Sequence, residues 1–71
     1  MIVTFKNLDS KQEIVAEYFT VNNENDQIQV LENHEDIIYV IKNGSIEINN
    51  KNFKIKNGIL KVEKNDVSVT Y

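Results

Sequence analysis

The chain has 71 residues, with eight Lys, no Arg, eleven Asp plus Glu, a formal net charge of −3 and no Cys, Pro or Trp. That length holds one domain, spanning residues 1–71, and without Cys there is neither a disulfide framework nor a thiolate metal site. An acidic balance lacking Arg disfavours a nucleic-acid binder.

Strand signals follow one another along the chain. Val3 and Phe5 alternate with Thr4 and Lys6, and Val15, Phe19 and Val21 share a parity, with Glu17 between them. Ile28 and Val30 alternate with two Gln, Ile46 and Ile48 flank Glu47, and Phe53 and Ile55 alternate with Lys54 and Lys56. Leu60 and Val62, then Val67, Val69 and Tyr71, complete the series. Period-two alternation puts one set inside and the other in water, as half-buried antiparallel strands require. The polar tips between the runs are Asn22–Asp26, Asn49–Asn52 and Lys64–Asp66, together with the pairs Asn43-Gly44 and Asn57-Gly58, which suit turns with positive φ. Asn33 before Ile37–Ile41 resembles a helix N-cap. However, that apolar run is mostly β-branched or aromatic and Gly44 follows soon after, so the expectation is a strand buried on both faces. The expected fold is an all-β antiparallel sandwich or flattened barrel. Its expected core is Ile28, Val30, Ile37, Tyr39, Ile41, Ile46, Ile48, Phe53, Ile55, Leu60, Val62, Val67 and Val69.

A chain this short buries only about 60% of its unfolded surface, so its core is thin and docking on a partner adds stability. No apolar run approaches the ~18 residues of a membrane span, and the start lacks a signal-peptide pattern. These features lead to the expectation of a soluble intracellular protein.

Little in the sequence points to chemistry. His34 is the one histidine, set among Glu32, Glu35 and Asp36, and no second imidazole or thiol completes a zinc site with it. Ser10, Ser45 and Ser68 lack a nucleophile-elbow pattern, and Gly44 and Gly58 form no phosphate-cradling loop. The acidic segment Glu24–Asp36 lacks the aspartate frame of a calcium loop. No catalysis, cofactor or metal is expected from these residues.

The stretch Leu31-Glu32-Asn33-His34-Glu35-Asp36-Ile37-Ile38-Tyr39-Val40-Ile41-Lys42-Asn43-Gly44-Ser45-Ile46-Glu47-Ile48 is more specific. It resembles the central signature of the epsilon subunit of F-type ATP synthases, called delta in mitochondria. Ile28–Leu31 matches the family's first strand of that region, His34 its histidine and Lys42-Asn43-Gly44 its turn. Phe53–Val62 matches its hairpin and Asn65–Val69 its last strand. The match is nearly ungapped from Tyr18 to Tyr71. Prolines usual in the family are missing here, and Asn33 and Asn57 stand where glycines are usual.

The resemblance implies a non-catalytic β-sandwich of the rotor, packed beside a gamma-like stalk subunit and resting on the polar loops of the c-ring. It would couple rotation to ATP synthesis from the cytoplasmic side, peripheral to the cell membrane. Asp26, Gln27, Glu32, His34 and Glu35 are the partner-interface residues it suggests, all on one ring-facing end. The family normally continues past the position of Tyr71 into a pair of helices that restrain ATP hydrolysis and in some members bind ATP; the resemblance implies neither role for this chain. A free-standing β interaction module stands as the alternative reading, with a small enzyme or nucleic-acid binder disfavoured by residues and charge.

Overall fold

The computed structural model describes residues 1–71 as seven strands without a helix: β1 Ile2–Lys6, β2 Lys11–Val15, β3 Tyr18–Asn22, β4 Gln27–Leu31, β5 Ile37–Ile48, β6 Lys51–Glu63 and β7 Asp66–Thr70. They form one open sheet in the order β2-β1-β7-β6-β5-β3-β4. Every pairing is antiparallel except β1 with β7, which is parallel, so the wholly antiparallel expectation is corrected at that point.

The sheet becomes a sandwich by folding over on itself. Fully extended, the 12 residues of β5 would span about 40 Å at roughly 3.3 Å each. The longest dimension of the molecule is 29 Å, so β5 must bend. The bend shows in side-chain parity. In β5 the inward residues are Ile37, Tyr39 and Ile41, then Ile46 and Ile48; in β6 they are Phe53 and Ile55, then Leu60 and Val62. Both strands switch parity at the same crossing, where Ile41 pairs with Gly58, Lys42 with Asn57 and Gly44 with Ile55. Asn43 makes the reversal, at φ 48°. The early half of β5 and late half of β6 thus join β7, β1 and β2 in one layer. The late half of β5 and early half of β6 join β3 and β4 in the other.

The Asn-Gly pairs therefore mark the fold line and not hairpin tips, which corrects the sequence expectation. Gly44 and Gly58 have ordinary negative-side backbone and are needed for close approach. A Cβ on Gly44 would lie 2.3 Å from the Asn22 carbonyl oxygen, and one on Gly58 would lie 2.7 Å from Ile55 Cγ2. The two-residue turns are instead Asn49-Asn50 and Lys64-Asn65, all four at positive φ. Asn takes five of the six such positions outside glycine, as its tolerance of left-handed backbone allows.

The core lies between the layers. Val3, Phe5, Leu60, Val62, Val67 and Val69 face Phe19, Val21, Val30, Ile46, Ile48 and Ile55, and the rings of Phe5 and Phe53 meet across the gap at 4.9 Å. Nine of the expected core residues are fully buried. Ile28, Ile37, Tyr39 and Phe53 are half-buried and pack against that core. Val3, Phe5, Ala16, Phe19 and Val21 belong to it as well.

Three parity expectations fail, one of them at Tyr71, which lies past the end of β7 and is exposed. Val15 is exposed because Ala16-Glu17 carries the chain from one layer to the other, leaving Ile14 and Ala16 inward and reversing phase before Phe19. Ile37–Ile41 is not buried on both faces: Ile38 is 72% and Val40 58% exposed, since no third layer covers them. Asn33 caps no helix; it sits at φ 63° in a turn.

Candidate interaction surface

The suggested interface residues fall at two opposite ends of the sandwich. Asp26 and Gln27 lie at the bend end, Asp26 on the turn between β3 and β4 and Gln27 at the first position of β4. Glu32, His34 and Glu35 lie beyond the far end of β4, on the turn leading into β5. Five residues of extended β4 stand between, placing Gln27 and Leu31 about 13 Å apart at ~3.3 Å per residue. One ring-facing end bearing all five residues is thus corrected by the geometry.

At the bend end the turn is tied to β5. The Asn23 N–H donates to the Asp26 carbonyl at 2.8 Å, and Gln27 Nε2 donates to Asn22 Oδ1. The Tyr39 hydroxyl donates to the Asp26 carboxylate. Desolvation, and then that hydrogen bond, push the Tyr39 phenol above its usual pKa of 10.0. The Asn23 side chain bridges further along, its Nδ2 donating to the Val40 carbonyl at 2.9 Å and its Oδ1 accepting from the Lys42 N–H at 2.8 Å.

At the opposite end, the turn carrying His34 is strapped to the β6–β7 hairpin. Asn65 Oδ1 accepts the Asn33 N–H at 2.8 Å, while Asn65 Nδ2 donates to Asn33 Oδ1 at 3.1 Å. Asp36 Oδ1 accepts the Lys64 N–H at 2.9 Å. The His34 N–H reaches the Leu31 carbonyl at 3.2 Å. Its Nδ1 lies 2.7 Å from the Glu35 carbonyl oxygen, which can only accept, so Nδ1 carries the proton in that bond. Glu32 stands beside the Met1 ammonium at 3.3 Å and is otherwise exposed. No group of three or more His, Cys, Asp or Glu is placed to hold a metal ion. What these residues offer is hydrogen bonding and charge on turns tied to the sheet.

The sequence profile of the ATP synthase delta/epsilon chain β-sandwich domain matches residues 2–71. The chain belongs to this family. Among solved structures, this delta/epsilon domain is similar to a chain in the cryo-EM structure of the central stalk and c-ring of the Tetrahymena thermophila mitochondrial ATP synthase, with a TM-score of 0.81 at 15% identity. The likeness covers 97% of this chain and 60% of that one, and at that identity it speaks for the fold. No curated protein sequence matches the chain.

Sequence reasoning missed the side chains that organise this delta/epsilon surface. Asn23 read as one of several loop amides, and Tyr39 as core. Ile38, Val40 and Ile59 are exposed and adjacent on the outer face of one layer, with Val40 directly opposite Ile59. A strand apolar at every position reads as central when it can equally be an edge with an uncovered face.

Proposed function

We propose that this chain is the β-sandwich part of a central-stalk subunit in an F-type proton-translocating ATP synthase. In that role it links a gamma-like subunit to the c-ring at the inner, cytoplasmic face of the membrane and transmits rotation without catalysis of its own. The observation that carries this reading is the delta/epsilon family match over residues 2–71. The physical character of the molecule supports it. The sandwich is a stiff wedge: its core is free of polar side chains, its two long strands run through both layers, and both of its ends are tied by side-chain to backbone bonds. Such a body transmits force between partners held at separate sites.

In this reading Asp26 and Gln27 contact one partner and Glu32, His34 and Glu35 another, one at each end. A neutral hydrogen bond such as one from Gln27 contributes about 0.5–1.5 kcal/mol and one to a carboxylate about 1.5–3 kcal/mol, so affinity comes from the sum. The test is purification of an affinity-tagged copy from native membranes under conditions that keep the complex whole. Recovery with gamma and c subunits supports the assignment. A tagged chain that emerges alone, or with partners unrelated to ATP synthase, overturns it in favour of a free-standing module.

A further inference from the structure

The early half of β5, Ile37–Ile41, has β6 along one side and no strand along the other. Its backbone is nonetheless well formed for pairing. Along an antiparallel strand, successive residues direct their N–H and C=O groups alternately toward one neighbour and away from it. The Lys42 N–H and Val40 C=O point outward, because both meet Asn23 and not β6. By the same alternation the backbone groups of Ile38 point outward too. The outer face of this edge is apolar, with Ile38 72%, Val40 58% and Ile59 50% exposed. Edges of this kind invite another strand unless blocked by Lys, Pro, a bulge or a covering loop, and Ile37–Ile41 contains neither Lys nor Pro.

We propose that Asn23 is a plug that keeps this edge from pairing with the same edge of a second copy. Its one amide group donates to Val40 and accepts from Lys42. Those are two of the outward groups that a neighbouring strand would need for its ladder. With the plug in place only the groups nearest Ile38 remain open, too short a run for a ladder. The plug is itself held, since the Asn23 N–H is bonded to the Asp26 carbonyl and the Asp26 carboxylate receives the hydroxyl of Tyr39, a residue of the guarded strand. Without Asn23, a two-fold axis beside β5 would let each copy supply both donors and acceptors. Ile38, Val40 and Ile59 of the two copies would then form one apolar strip. The proposal concerns the isolated chain and does not depend on the rotor reading.

Sedimentation velocity over a concentration series tests it, with circular dichroism to establish folding. The wild-type chain is expected to sediment as a monomer throughout. Asn23→Ala is expected to double in mass as concentration rises, and adding Val40→Lys to it should restore the monomer. A folded Asn23→Ala chain that stays monomeric overturns the proposal, as does a dimer that Val40→Lys leaves intact or a dimeric wild type. Should Asn23→Ala fail to fold, amide exchange of the wild-type chain decides. The Lys42 amide should be protected like the paired amides of β5, while that of Ile38 exchanges fast. Equal, fast exchange at both sites refutes the plug.

Discussion

Gly44→Ala should be the most damaging single-methyl change in this protein. The added Cβ would sit 2.3 Å from the Asn22 carbonyl oxygen and 2.8 Å from Ile41 Cγ2. The first obstacle is backbone, so no rotamer change relieves it. Reaching ordinary contact demands a strand shift of about an ångström, and such overpacking costs about 1–3 kcal/mol. The shift falls where Asn22 pairs with Ser45, at the end of the short β3–β5 ladder, so the upper part of that range is expected. A chain of 71 residues has a total stability of roughly 4–10 kcal/mol at ~0.05–0.15 kcal/mol per residue. The loss is therefore a large share, and it corresponds to a melting-point drop of about 4–8 °C per kcal/mol. Urea denaturation followed by circular dichroism measures it, with Gly58→Ala and Asn43→Gly in parallel. Gly58→Ala should be milder, because its nearest obstacle is the Ile55 side chain and the Thr70 carbonyl lies farther off at 3.1 Å. Asn43→Gly should be close to neutral, since φ 48° suits glycine. A Gly44→Ala midpoint equal to wild type, or a loss smaller than that of Gly58→Ala, would refute close approach as the reason for glycine at the fold line.

Ile46→Ala removes a fully buried side chain and should cost roughly 2–5 kcal/mol, read as a lower urea midpoint; an unchanged midpoint would mean the parity of late β5 is misassigned. Tyr39→Phe should lower stability near neutral pH and flatten the alkaline limb of the stability profile. The folded-state pKa of Tyr39 lies above 10.0, so its contribution is complete below pH 10.0 and is lost as pH rises through the higher folded value. Parallel wild-type and variant curves through that range would contradict this. His34→Ala and Gln27→Ala should leave the melting temperature nearly unchanged while weakening recovery of partners in the tagged purification; full recovery would remove both from the interface.

The strands were readable because alternation is local, and the Asn-rich turns because positive φ is a property of single residues. The fold line was not readable, since Asn43-Gly44 and Asn57-Gly58 have hairpin chemistry and only the pairing of Lys42 with Asn57 reveals that both strands continue. Val3 and Phe5 were left out of the expected core because their burial depends on β7, at the other end of the chain. The separation of Gln27 from His34 was within reach of the sequence: a five-residue strand between two turns puts those turns at opposite ends. The roles of Asn23 and Tyr39 were hidden for a different reason, since each acts on a segment more than ten positions away.

The parallel pairing of β1 with β7 governs when this protein can fold. Val3 waits for Val67 and Phe5 for Val69, nearly the whole chain apart. β1 and β2 reach the remaining strands only through β7. During synthesis the first two strands therefore have no stable place until the last has left the ribosome, whereas the β5–β6 hairpin can form earlier. Such long-range closure slows folding relative to proteins built from local contacts. Until it happens, β1 and β2 have only each other to pair with, and β2 carries Lys11 and Glu13 on its outward side as charges that discourage premature partners.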